Sequence, residues 1–391
     1  MAVLTAFRES TLWRRRRTRR WIVQSWFGFG VALVLLYVAS RATRLQLGLD
    51  FMGDRAGFAI GHQWLTDYTG SESRFNAYAV GVFNTVRLVL AGLALATLLG
   101  IVAGVARLSK NWLVSRLATA YVEIFRNTPL LIQIIFWYTA VLLQLPNLER
   151  GVEVLDVVFL SNRALAVPWA YPEGAFVAWL GALVIAAAAS WLAHRWRVAT
   201  EERTGRPANP NTTALAVFLG IAVVGFVAAG TPLRPELPER GVAGAGIQTI
   251  SGGMQVTPEF SALLLALVIY TGAFIAEIVR GSIQALPRGQ TEAAMAVGLG
   301  GYERMTLVIL PQALRIMIPP LTNQYLNLTK NSSLAVAIAY PDLVFVGRTI
   351  QNNAGYAVPV FLAIMATYLV MSFLISAIMN WLNRRVPLGG R

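Results

Sequence analysis

The sequence predicts an all-α polytopic integral membrane protein with about eight transmembrane helices, on three observations. Apolar residues fill 56% of the 391 positions against 13% charged, with a positive mean hydropathy. That balance belongs to chains that live in a bilayer rather than around one soluble core. Several apolar runs can each cross roughly 30 Å of hydrocarbon. Lys and Arg also fall unevenly on alternate sides of those runs, as membrane insertion demands. Cysteine is absent, which removes disulfides, thiolate chemistry and cysteine-zinc sites, and His62 and His194 are far apart, so no metal site is expected. The formal charge of +14 comes without interleaved aromatic and basic residues, so no nucleic-acid partner is expected.

The first run, 21–39, follows "RRRRTRR" at Arg14–Arg20, a flank that stays cytoplasmic under the positive-inside rule. Arg19 and Arg20 ahead of a run ending at Val38–Ser40 also fit a secretory signal, but the run is as long as a full span, and its removal would leave the remaining topology unchanged. "WRRRRTRRW" reads as an anchor facing phospholipid, which makes membrane lipid a partner. Further runs lie at 80–106, 119–145, 174–194, 213–230, 260–280, 318–345 and 358–382, so both termini are expected in the cytoplasm. With that orientation 20 Lys and Arg lie inside, among them Arg107, Lys110, Arg195, Arg280 and Arg384. Nine, including Arg55, Arg150 and Arg240, are spread over longer outer segments. The asymmetry supports the orientation.

The outer segments 41–78, 146–173 and 231–258 are rich in Gly, Pro and polar residues, and none is long enough to bury a core of its own. They read as lids or docking surfaces. "RWRVATEERTGRPANPN", Arg195–Asn211, reads as a solvated connector. No phosphate loop, dinucleotide fingerprint, G-x-S-x-G elbow or H-E-x-x-H helix is present, so no catalytic residue is assigned and no enzyme activity is expected of this chain.

Polar residues in membrane runs are then the informative ones. From Met305 to Val346 the chain is too long for one span, and "IPP" at Ile318–Pro320 is expected to divide it. Beyond it, Asn323, Asn327, Lys330 and Asn331 fall on one helical face, while Leu321, Tyr325 and Leu328 fall on another. An ammonium in hydrocarbon costs at least about 2.5 kcal/mol, so Lys330 requires a wet cavity, a partner or an interface. With Ser332 and Ser333 this stripe reads either as a translocation path for a zwitterionic or acidic solute or as a polar helix interface. Glu123 with Arg126 and Glu277 with Arg280 read as i, i+3 ion pairs, and Arg87 as a snorkelling side chain.

"GQTEAAMAVGLGG", Gly289–Gly301, stands between the sixth and seventh runs, on the cytoplasmic side. Pro287 and Gly289 break the incoming helix, Glu292 falls in the first turn of a short new one, and Leu299-Gly300-Gly301 ends it. Ala294 and Gly298, at i and i+4, leave one side nearly bare for a partner's groove, or merely form a surface helix.

The stretch from Gly289 through "YERMTLVILPQALRIMIPPLTNQYLNLTKNSSLA" resembles the EAA loop and following segment of ABC importer permeases, in particular the polar amino acid subfamily. Glu292, Ala293, Ala294, Gly298, Leu310 and Pro311 match the family pattern, and Val308 replaces its isoleucine. "GVFNTVRLVLAGLALATLLGIVAGVARLS" and "YVEIFRNTPLLIQIIFWY" resemble the first two core spans. With "GLDFMGDRAGFAIG" after an extra first span and two spans inserted in the core, the chain is similar to the larger permease subunits of general L-amino-acid importers of the Aap/Bzt type.

The resemblance implies a five-span core plus three extra spans in a bacterial inner membrane. Residues 1–79 would form the basic N-terminus, first span and outer loop. Residues 80–391 would form the permease domain, with inserted spans within 146–258 and the EAA coupling loop at 281–311. It also implies a second permease, two cytoplasmic ATPase subunits and a periplasmic amino-acid-binding protein as partners. No cofactor is implied in this chain, ATP and Mg being held by the ATPase. Glu292, Ala293, Ala294 and Gly298 would transmit coupling, and Asn323, Asn327, Lys330, Asn331, Ser332 and Ser333 would line the path. A secondary transporter or channel, or a membrane anchor without its own substrate site, are the competing readings.

Overall fold

The computed structural model describes residues 16–42, 48–155, 157–205, 208–243 and 247–385. Six helices among these are long and apolar enough to cross a membrane, and two shorter apolar stretches, Gln24–Val34 and Leu130–Leu142, accompany them. Two compact units are present, one made of the chain through Leu131 and from Leu267 onward, the other of Ile132–Ala266.

In the first unit, α1 (Arg16–Ala42) exposes Trp21, Trp26, Phe27 and Phe29 on its apolar surface. Helix α2 (Arg74–Arg107) begins where the Ser73 hydroxyl accepts from Asn76 N–H, a cap for an otherwise orphaned donor. Its buried side is built of small residues, Ala77, Gly81, Gly92, Ala96, Gly100 and Gly104, so other backbones can come close. A Cβ at Gly100 would stand 2.5 Å from Ile275 Cβ, and one at Gly104 2.7 Å from Val279 Cβ, both on α7 (Pro258–Gln284).

The expected third span, 119–145, is not one helix. Helix α3 (Trp112–Asn127) ends at Thr128, which is extended (φ −98°, ψ 131°) because Pro129 disfavours helical backbone before it. The chain restarts as α4 (Leu130–Ile135) and continues π-helically over Phe136–Leu142. The expected division at Ile318–Pro320 is also absent. After a helical turn at Gly301–Glu303 and a π-helical stretch at Arg304–Ile309, helix α9 (Leu310–Asn331) carries Pro319 and Pro320 in its interior. Ala313 and Met317 before the prolines and Leu328 after them sit in one core with Val89, Ala96, Ile275 and Val279. Packing on both sides of the prolines thus holds the helix through them. The chain turns later instead, at a 3-10 segment, Ser332–Ile338, followed by Ala339 at φ +58°.

Helices α10 (Leu343–Ala354) and α11 (Ala357–Arg385) complete this unit. The arm at 48–73, part of the outer segment 41–78 expected as a lid or docking surface, packs down as a cap. Phe51, Met52, Ala56, Ile60 and Tyr68 share a core with Val80, Leu343, Val346 and Ile350, and Phe51 stacks on Tyr356 at 4.3 Å.

In the second unit, α5 (Phe176–Thr204) and α6 (Pro210–Ala228) form a hairpin of the two inserted spans. Trp179 Nε1 donates to Ala222 C=O at 3.2 Å and Ser190 Oγ to Ala214 C=O at 2.8 Å. The segments flanking the hairpin, too short singly for a core, fold by pairing with each other. Strands β1 (Val152–Val154), β2 (Val158–Leu160), β3 (Leu165–Val167) and β8 (Met254–Val256) make an antiparallel sheet in the order β1-β2-β3-β8. Strand β4 (Trp169–Pro172) pairs with β5 (Leu233–Glu236), and β6 (Glu239–Ala243) with β7 (Ile247–Ser251). The β3–β8 and β4–β5 pairs join the segment before the hairpin to the one after it. Phe159 and Ala166 are buried there, and Arg240 lies over the Phe159 ring while pairing with Glu153 at 2.5 Å.

Candidate coupling helix and polar face

Helix α8 (Arg288–Ala296) starts at Arg288, directly after Pro287, so Glu292 stands in its second turn rather than the expected first. The helix stops at Ala296. Gly298 N–H donates to Met295 C=O at 3.0 Å and Leu299 N–H to Ala294 C=O at 3.1 Å, the paired bonds of a Schellman motif. Gly298 sits at φ +82°, a left-handed position that a side chain would strain. Its glycine therefore ends the helix rather than extending a bare face. Ala294 faces inward and is buried, while Glu292, Ala293, Met295 and Val297 are exposed. Met295 and Val297 were not singled out from sequence, although "MAV" follows Glu292-Ala293-Ala294 in the motif.

This helix is tied to the next. Gln312 Nε2 of α9 donates to Gln290 Oε1 of α8 at 3.0 Å and to Val308 C=O at 3.0 Å. Glu303 Oε2 accepts from Gly300 N–H at 2.9 Å. These bonds tie α8 to α9 and α9 to the π-helical stretch.

On α9, Asn323, Asn327 and Lys330 are all exposed on one face, opposite Leu328 and Thr329, which are buried. Asn331 is half-buried beside them. Among the described residues no carboxylate pairs with the Lys330 ammonium. Ser333 is half-buried and donates to Lys330 C=O at 2.7 Å. Ser332 is fully buried and donates to Thr329 C=O at 2.7 Å, so its hydroxyl is turned away from the open face. Helix α9 is held on its packed side by Tyr325, whose hydroxyl meets Thr97 Oγ1 of α2 at 2.8 Å.

Glu277 pairs with Arg280 as expected and also with Arg107, joining α7 to the end of α2. The expected Glu123–Arg126 pair does not form. Glu123 accepts from Asn127 Nδ2 at 3.2 Å, while Arg126 lies 5.5 Å from the Phe274 ring centroid, an aromatic neighbour that sequence alone cannot place. Arg87 is half-buried near Tyr340.

The segment that carries these two helices also falls within a match to a known protein family. Residues 96–387 match the family described as "Binding-protein-dependent transport system inner membrane component". The general L-amino acid transport system permease protein AapQ of Rhizobium johnstonii is 45% identical over 87% of this chain and 84% of its own length. The putative amino-acid ABC transporter permease protein YhdX of Escherichia coli is 42% identical over 87% and 86%. The glutamate/glutamine/aspartate/asparagine transport system permease protein BztB of Rhodobacter capsulatus is 38% identical over 91% and 89%. The family match spans both α8 and the polar face, and the chain belongs to the inner membrane components of binding-protein-dependent transport systems.

Proposed function

We propose that this chain is a permease subunit of an ATP-binding cassette importer for L-amino acids, seated in the bacterial inner membrane with both termini in the cytoplasm. The observation that carries the reading is the mechanical link from α8 through Gln290 and Gln312 to the helix bearing Asn323, Asn327 and Lys330. In this scheme the ATPase pair docks on the exposed side of α8, around Glu292, Ala293 and Met295. Gly298 sets where that helix ends, and Ala294 fixes it to the chain beneath. ATP binding closes the ATPase pair and moves α8, and α9 carries the motion to the path.

The polar face suits a zwitterion. Lys330 supplies a cation for the substrate carboxylate, and the amides of Asn323 and Asn327, each both donor and acceptor, serve the ammonium end. Asn331 and Ser333 stand at the rim of this face, and Ser332 acts from behind it. A second permease completes the cavity, and a periplasmic binding protein delivers the amino acid. The names of AapQ, YhdX and BztB support amino acids as the cargo.

Reconstitution of this chain with its second permease, ATPase and binding protein in vesicles tests the reading. ATP-dependent uptake of labelled amino acids is the expected result. Uptake that followed a proton or sodium gradient and ignored ATP would favour a secondary transporter instead.

A further inference from the structure

Beyond Lys330 the chain turns through Ser332–Ile338 into α10, and this turn is tied down from several sides. Asp342 is fully buried and caps α10 by accepting from Phe345 N–H at 2.8 Å. Thr85 of α2 accepts from Leu343 N–H at 2.9 Å and donates to Gly81 C=O at 2.9 Å. Asn84 Nδ2 donates to Pro341 C=O and His62 C=O, each at 2.9 Å, joining the turn, α2 and the 48–73 arm. Gly81 lets the backbones meet, since a Cβ there would stand 3.1 Å from Leu343 Cα.

The remaining tie comes from Tyr368 of α11. Ser332 commits its single proton to Thr329 C=O, so in its 3.3 Å contact with Tyr368 Oη the tyrosine is the donor. The same Tyr368 hydroxyl is close enough to interact with the Asp342 carboxylate, whose Oδ2 is buried and makes no hydrogen bond of normal geometry. A bare buried carboxylate oxygen is unfavourable, so a donor within reach is drawn to it. One phenolic proton thus faces two acceptors, one at the end of α9 and one at the start of α10.

We propose that Ser332, Asp342 and Tyr368 are positioning residues for transport: the Tyr368 O–H turns between Ser332 Oγ and Asp342 Oδ2, and its choice sets how the Lys330 end of α9 stands against α10. No bond other than the hydrogen bond changes. The proposal rests on reading Lys330 as part of the path. Bonded to Ser332, the hydroxyl holds the α9 end to α11. Bonded to Asp342, it satisfies the carboxylate and frees that end to move.

The test uses the whole reconstituted transporter, with partner subunits free of accessible thiols. This chain has no cysteine, so Lys330→Cys supplies its only thiol, and maleimide labelling reports on that position. ATP is expected to change the labelling rate, and Tyr368→Phe to abolish that change. Asp342→Asn keeps the cap through its amide oxygen and offers its own N–H to Tyr368 Oη, so it is expected to lock the hydroxyl on Ser332 and abolish the change too.

With Lys330 intact, Tyr368→Phe and Ser332→Ala should each lower the maximal uptake rate about fivefold to tenfold, the scale of one hydrogen bond. KM for the loaded binding protein should stay within about twofold, and the double variant should be no worse than Tyr368→Phe alone, because that variant already removes the Tyr368–Ser332 bond. Labelling that still responds to ATP in Tyr368→Phe, or effects of the two single variants that multiply, would overturn the proposal. Transport by Lys330→Met with KM and specificity unchanged would instead refute the path assignment, a separate outcome from the labelling result.

Discussion

Lys330 and Gly298 show how much a single residue carries here. An exposed ammonium with no carboxylate partner among the described residues, on a helix otherwise packed against its neighbours, is costly to keep in a membrane run, and the proposed path gives it a carboxylate to meet. Lys330→Met is expected to raise KM for amino-acid uptake about tenfold or more, the scale of a hydrogen bond to a charged group, with Lys330→Arg retaining most of the function. Uptake kinetics in vesicles check this, and unchanged KM and specificity would instead favour a membrane-anchor role, with substrate held by the partner permease alone. Gly298 at φ +82° has open space where a Cβ would go, so only backbone strain opposes a side chain. Gly298→Ala should cost about 1 kcal/mol locally and weaken ATPase co-purification roughly fivefold, with Gly298→Asn milder. Both residues stand out in the sequence, Lys330 by its helical face and Gly298 by the family motif and its spacing from Ala294. The Gly298 backbone conformation was not, because a motif records which residue recurs and not why the chain needs it. Asp342 and Tyr368 gave no sequence signal, since their meeting depends on α10 and α11 folding back beside the end of α9.

At the scale of elements, apolar length located the membrane helices, but interruptions obeyed different rules. Pro129 broke the third run because Thr128 before it adopted extended backbone. Pro319 and Pro320 broke nothing, because Ala313, Met317 and Leu328 packed on both sides of them. A local propensity thus decided the first case and tertiary packing the second. The α2–α7 contact is likewise set by absent side chains. Gly104→Leu should force the two helices apart and destabilise the protein by about 1–3 kcal/mol, with lower thermal stability in detergent. An unchanged melting temperature would show that the close approach at Val279 does not hold. The α8–α9 link is also made at this scale, by the Gln290–Gln312 hydrogen bond.

Over the whole molecule, charge asymmetry predicts the orientation, and the lack of cysteine makes it directly testable. Leu155→Cys and Tyr302→Cys each place one thiol on a highly exposed position of the chain. An impermeant maleimide added to intact spheroplasts should label the first and spare the second, and the reverse pattern would invert the proposed topology. By itself the sequence determined the membrane class, most of the long apolar helices, the asymmetry of charge and the motif that marks α8, because these depend on local composition and spacing. Only the tertiary structure decided that the inserted region forms a unit with its own sheets, since its strands pair across the α5–α6 hairpin and no single segment can bury a core. It also decided that α9 runs unbroken through its prolines and that Ser332 turns from the open face toward Tyr368. Those outcomes follow from contacts between residues distant in the chain, whose energies no local pattern contains.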